Sequence, residues 1–230
     1  RYYGRVFKDK GRINVNLWWE SNSAKKLSWS GSLYAGSGGV FNRKNLEYTF
    51  TGKIRFNSKF SIDNSIDVFS SKNQSGWSAN IGVNRDTVIF SRRNVNSVEN
   101  IINFKYNFTN RMGITLRARH YWSKVKPIQF YELDAYGKLQ TPTTPFTQNV
   151  NQNYNYLSVD MVFNWQFAQG SFFSIVWKDI GEDFNRQFEK NYSKNLSNTI
   201  NGNQFNSLSV RVIYFLDYLS FKNKIKKKTV

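Results

Sequence analysis

Large apolar side chains fall on alternate positions along most of this chain. Leu157, Val159, Met161, Phe163, Trp165 and Phe167 are odd-numbered, and Ser158, Asp160, Asn164 and Gln166 lie between them. Successive strand side chains point to opposite faces, so the stretch predicts a strand with one apolar and one polar face. Gln169-Gly170 predicts a tight turn, and Phe173, Ile175 and Trp177 resume the alternation, which makes a β-hairpin. The same period of two runs through 12–20, 27–35, 46–56, 60–68, 102–108, 114–123 and 208–218, with Tyr2–Lys8 as a weaker first strand. About ten strands are expected, and no segment shows the period of an amphipathic helix.

The segments are about ten residues long. A tilted strand needs roughly 9–11 residues to cross a bilayer, whereas soluble strands average about 5–6. The connections are of two kinds. Asn22–Lys26, Asn57-Ser58, Thr109–Arg111 and Gln169-Gly170 read as short turns. The polar stretches 71–93, 125–150 and 181–203 read as long loops, the first with a small hairpin in "WSANIGVNRDTVIFS". Short turns at one end and long loops at the other are the asymmetry of bacterial outer-membrane barrels. The expected architecture is therefore an all-β transmembrane antiparallel barrel, or part of one. Strands and extracellular loops fill 1–221 and a basic tail follows at 222–230. A soluble sheet with one wet face alternates too, but strand length and loop asymmetry speak against it.

Composition sharpens this picture. Aromatic residues make up 17% of the chain while the mean hydropathy is −0.59, which suits a wall with lipid on one side and a wet interior on the other. A net charge of +18 invites a nucleic-acid reading, but the basic residues are spread along the chain and only "KNKIKKK" clusters, so nucleic acid is not expected as a partner. The absence of Cys excludes a disulfide scaffold and thiolate metal sites. The chain starts with Arg and shows no signal peptide, so a mature form or a fragment is expected.

Three stretches carry a resemblance: "SRRNVNSVENIINFKYNFTNRMGITLRARHYWSKV" (91–125), "NYNYLSVDMVFNWQFAQGSFFSIVWKD" (153–179) and "SLSVRVIYFLDYLSFK" (207–222). They resemble the C-terminal part of large Bacteroidota outer-membrane proteins catalogued as a domain of unknown function. Long members of that family resemble a carbohydrate-binding-like N-terminal domain joined to a C-terminal barrel. The resemblance implies a barrel, brings no catalytic residues, and suggests that these strands are one side of a larger wall.

Parity assigns the candidate site residues. Arg12, Glu20, Glu47, Lys53, Arg55, Asp63, Asp67, Lys105, Arg117, Arg119, Asp160, Lys178, Arg211 and Asp217 should face the lumen, as a structural charge ladder or as a selectivity lining. Nearness to strand ends, not parity, picks out Trp19, Tyr48, Tyr106, Trp122, Tyr156, Trp177 and Tyr218 as aromatic girdles at the membrane interfaces. His120, the single histidine, has neither a second His nor a Cys to make a zinc site. Position 122 is Trp, where an outer-membrane lipase would carry Ser, so His120 is expected to be an interfacial residue and not a catalytic one. "ELDAYGK" has too few oxygen ligands for a calcium loop, and "AGSGG" lacks the Lys and helix of a phosphate loop.

The expected function is non-enzymatic and without a cofactor: a channel, or a barrel subunit of a surface, secretion or uptake assembly in a bacterial outer membrane. Membrane lipids and lipopolysaccharide would surround it, with other barrels or lipoproteins as partners. One alternative is a glycan-binding surface protein that stacks sugars on Phe130, Tyr131, Tyr136, Phe146, Phe184, Phe188 and Tyr192. Another, disfavoured, is a membrane-embedded hydrolase.

Overall fold

The computed structural model describes residues 5–216. Among them are β1 (Arg12–Glu20), β2 (Leu27–Gly38), β3 (Arg43–Arg55), β4 (Phe60–Ile81), β5 (Thr87–Thr109), β6 (Met112–Leu133), β7 (Leu139–Gln140), β8 (Gln152–Ala168), β9 (Ser171–Asn185), α1 (Tyr192–Asn201) and β10 (Gln204–Ile213). All ten strands belong to one antiparallel sheet in the order β1-β2-β3-β4-β5-β6-β8-β9-β10, with the two-residue β7 added to β6. No described helix is long and apolar enough to cross a membrane.

Nine of the expected strands are present. Residues 5–8, the described part of the expected first strand, are not in a strand. They lie against the sheet instead: Arg5 donates to the Leu133 carbonyl, the Lys8 N–H donates to the Gly137 carbonyl, and Phe7 stacks on Phe90. Residues 217–230, with the end of the last expected strand and the basic tail, lie outside the described residues.

The connections fall at two ends. Residues 21–26, 56–59, 110–111 and 169–170 close one end. In the second of these turns the Asn57 side chain accepts from the backbone N–H groups of Lys59 and Phe60, and in the last Gly170 takes a φ of 70°. The segments 39–42, 82–86, 134–151 and 186–203 lie at the other end. "AGSGG" ends β2 and opens the β2–β3 turn there, with Gly38 and Gly39 at positive φ.

The stretches expected as long loops hold more regular structure than alternation suggested. β4 and β5 run on through 71–81 and 87–93, β6 reaches Leu133, β9 reaches Asn185, and α1 occupies part of 181–203. The reason is register. Irregularities fall between Ser71 and Gln74, between Trp77 and Ala79, and between Arg92 and Arg93, with Asn73 at a φ of 57°. Each bulge shifts side chains to the other face, so the period of two is lost while the ladder continues.

Helix α1 was hidden for a different reason. Its sequence YSKNLSNTIN is poor in strong helix formers, and ten residues are marginal as a helix in water. Tertiary contacts hold it. Asn191 caps its first turn by accepting from the Lys194 N–H, and the buried Asn195 anchors it to β8.

The sheet curls. Phe41, in the β2–β3 turn, packs tilted on Tyr131 of β6 with ring centroids 4.7 Å apart, and Arg12 of β1 shares a cavity with Gln152 of β8. It does not close: among the described residues β1 pairs only with β2, and β10 only with β9. Buried apolar residues are few. Val88, Phe90 and Leu133 form one small cluster at the long-connection end, covered by Phe7 and Leu139. No second layer covers the rest of the sheet, so a sandwich core of the usual kind is missing from the described chain.

Candidate functional site

Cα partners in a ladder share a face, so the register of the sheet sorts every strand. One face carries an apolar band. On β4 it runs from Phe60 to Val68, on β5 from Val98 to Phe108, on β6 from Met112 to Trp122 and on β8 from Leu157 to Phe167. Ser70, Asn96, Lys124 and Asn155 follow on the same face, so the band ends in each strand at about the same register. Its side chains remain accessible: Phe50 is 48% exposed, Leu46 47% and Ile54 44%.

Aromatic rings line the band at the short-turn end. Phe56 stacks on Phe60 at 4.9 Å, and contacts continue through Tyr106, Phe108 and Phe163 to Phe173 at centroid distances of 4.8–6.5 Å. Trp165, Phe167 and Tyr214 extend the same edge. Offset and edge-to-face rings at these separations attract beyond simple contact. Of the expected girdle residues, Tyr106 belongs to this row. Tyr48 and Trp122 share one register at the far edge of the band. Trp19 and Trp177 are on the apolar face as well, and the Trp177 indole donates to Asn206. Tyr156 is a correction: its Cα partners are Tyr121 and Glu182, which puts it on the polar face. Tyr218 lies outside the described residues.

The polar face holds the ionisable groups that parity singled out. Ser28, Lys53, Asp63, Asn103, Arg117, Asp160, Lys178 and Ser207 are successive Cα partners across the sheet. Opposite charges therefore face each other strand by strand. Asn103 donates to Asp63 at 2.7 Å, and Lys178 Nζ lies 3.8 Å from Asp160. A second row joins Thr49, Asp67, Glu99, Tyr121, Tyr156 and Glu182. Thr49 donates to Asp67, and Arg119 pairs with Glu99 at 2.5 Å. Arg12, Glu20, Glu47, Arg55, Lys105 and Arg211 share this face too. Asp217 lies outside the described residues. Glu99 and Glu182 complete the acidic row and were missed, although alternation around Val98 and Gly181 would have found them.

The ends of the polar face differ in charge. A cavity of about 680 Å³ at the short-turn end is lined by Lys59, Lys105, Arg111, Asn107, Asn164 and Gln166 among others, with no carboxylate in its wall. The acidic row lies further along the same strands. A group moving along this face would meet cations first, then the mixed row, then carboxylates.

His120 sits on the apolar face opposite Leu157, but it is not an open interfacial residue. Helix α1 covers it: Nδ1 meets the Tyr192 hydroxyl at 3.0 Å, and the two rings pack at 5.1 Å. Around it is a buried amide network. The Trp122 indole donates to Asn153, and Asn153 and Asn155 both donate to Asn195 at 3.1 Å. Asn195 in turn donates to the carbonyls of Glu189 and Asn191. Burial raises the pKa of the Tyr192 hydroxyl above its ordinary value. The arrangement positions a helix, with the Nδ1 side of His120 taken by the Tyr192 hydroxyl.

Asp134 of "ELDAYGK" accepts from the backbone N–H groups of Tyr136 and Lys138, which closes the turn with the carboxylate a cation would need. Among the described residues no group of three or more His, Cys, Asp or Glu is placed to hold a metal ion. Of the loop aromatics, Phe130 meets Phe146 edge-on, Tyr131 packs tilted on Phe41, and Tyr192 meets His120 and Trp122 edge-on. Tyr136 and Phe184 stay open to solvent.

No curated protein and no solved structure matches the chain. Residues 1–225 match the model of the family described as Domain of unknown function (DUF5916), and the chain belongs to that family.

Proposed function

We propose that this chain is a wall of a transmembrane β-barrel in a bacterial outer membrane. In that reading it is non-enzymatic and works as a channel, or as a barrel subunit of a larger surface, secretion or uptake assembly. The observation that carries the reading is an apolar face that nothing in the described chain covers except at its edge, where α1 lies on His120 and Trp122 and Leu157 is buried. Its band is nine residues on β4 and eleven on β5, β6 and β8, the roughly 9–11 a tilted strand needs to cross hydrocarbon. An aromatic row bounds it where an interfacial girdle would lie. On the opposite face Asp160, Lys178, Arg117 and Asp63 need water or each other, and a polar lumen supplies both.

Cargo would run along the polar face, past the cationic cavity and then the acidic row. Charges placed along such a path tune which ions or polar solutes pass. The glycan-binding alternative has less support, because most of the loop rings proposed for sugar stacking are already packed against other rings.

The test is membrane extraction followed by reconstitution. The native protein is expected to stay in the membrane through an alkaline carbonate wash, to need detergent for release, and to keep its sheet when heated in mild detergent. Release by carbonate would defeat the reading. Planar-bilayer conductance of the extracted particle then separates a channel from a closed subunit.

A further inference from the structure

The strand directions limit how this wall can be completed. Nine strands follow one another across the sheet, each antiparallel to the next, so the ninth runs the same way as the first. β1 and β10 both run from the long-connection end to the short-turn end. Each has an outer edge without a partner among the described residues. These edges bear part of the apolar band: Ile13, Val15 and Leu17 on β1, and Leu208, Val210 and Val212 on β10. In hydrocarbon each unpaired N–H or C=O of an open edge costs several kcal/mol, so an edge there must be paired.

Direct closure of β1 on β10 makes a parallel seam. A second copy of this chain with the same orientation in the membrane fares no better, because both of its free edges also run toward the short-turn end. Bacterial single-chain barrels have an even number of strands, antiparallel all the way round. Both edges therefore call for a neighbour that runs the other way, from the short-turn end to the long-connection end.

The path into β1 points to the source. Residues 5–9 lie along the long-connection end, held by the Leu133 and Gly137 carbonyls and by Phe90, and Asp9 accepts from the Val40 N–H. A strand that delivers the chain to this path finishes at the long-connection end, which is the direction the free edge of β1 needs.

We infer that β1 and β10 do not pair with each other, and that an odd number of further strands from the same polypeptide, outside residues 5–216, completes the wall. The inference rests on the membrane-barrel reading above. The test places a photo-crosslinking amino acid at Asn16 of β1, and separately at Ser209 of β10, in the full-length protein in its native membrane. Both positions are on the polar face, away from lipid. Capture of Tyr34 by position 16 and of Val176 by position 209 reports that the sheet is intact, since these are their Cα partners.

The expected result is, in addition, a cross-linked peptide from the same polypeptide outside 5–216 at each position, with no gain in chain mass. A peptide joining β1 to β10 would overturn the inference. So would a cross-link that adds the mass of a second chain, or capture of the known neighbours alone. If these results come from protein that resists carbonate, the inference fails and the membrane reading stands. If carbonate releases the protein, both fail.

Discussion

The two halves of β4, β5 and β6 follow different rules. From the short turns to Val68, Val98 and Trp122 the strands largely alternate, and one face is apolar apart from Asn64, Asn100 and His120, with Asn64 donating to Asn100 at 2.8 Å. Beyond those residues the same strands continue with bulges, without an apolar band, and around a small core of Val88, Phe90 and Leu133. At 22 or 23 residues each strand is about 70 Å long, roughly twice what a bilayer core requires. On the proposed membrane reading the first half meets an apolar surrounding, and the second, which would stand outside it, has a small buried cluster of its own.

The strongest way to break this comparison is to remove the upper core. Phe90→Ala should cost about 3–5 kcal/mol locally, as expected for emptying a buried Phe site. Hydrogen exchange should quicken in 77–81 and 87–91 and stay slow in 60–68 and 98–108. Equal quickening in both would show that the halves form one cooperative unit.

A charge tests the lower half. Leu116→Arg, in the middle of the β6 band, should destabilise the membrane-inserted protein by about 2–4 kcal/mol. Asn96→Arg, on the same face beyond the band, should cost only the hydrogen bond that Asn96 accepts from Ser70, about 1 kcal/mol. Unfolding from lipid vesicles measures both, and similar values would mean that lipid does not meet the band.

The α1 network should respond less. Asn195→Ala leaves the buried amides of Asn153 and Asn155 without their shared acceptor, a loss of about 1–3 kcal/mol. Exchange across 192–201 should quicken while the sheet beneath keeps its protection. Unchanged exchange in the helix would remove Asn195 as its anchor.

The smallest effect is a pH effect in front of that helix. The hydrogen bond from Lys194 holds the Glu189 carboxyl below its ordinary pKa, and the same bond raises the Lys194 ammonium. A depressed acid stabilises the fold above its unfolded pKa and loses that contribution as pH falls through the folded value. A raised base contributes below its unfolded pKa and loses this as pH rises through the folded value. Protection of the helix amides, taken relative to the intrinsic exchange rate at each pH, should therefore be greatest across the neutral range and fall slightly at acid and at strongly alkaline pH. Glu189→Gln should flatten the acid limb.

The sequence by itself determined which residues share a face. Strict alternation leaves a strand one choice of parity, so the row Lys53, Asp63, Arg117, Asp160 and Lys178 and the apolar band opposite it were both legible. So were the short turns, from Asn57 and Gly170. Only the tertiary structure decided where strands end. The ladder of β4, β5 and β6 outlasts the alternation because bulges at 71–74 and 92–93 break parity without breaking hydrogen bonding. Glu47 and Tyr156 both follow the period: Tyr156 has the parity of Ser158 and Asp160, and its partners Tyr121 and Glu182 bear this out, so only its nearness to a strand end places it among the girdle residues. Helix α1 exists because Asn153 and Asn155 meet Asn195 across 40 or so residues of chain, a contact that local propensity does not encode. Strand direction at the two free edges is likewise a property of the assembled sheet, since it depends on how many strands lie between them.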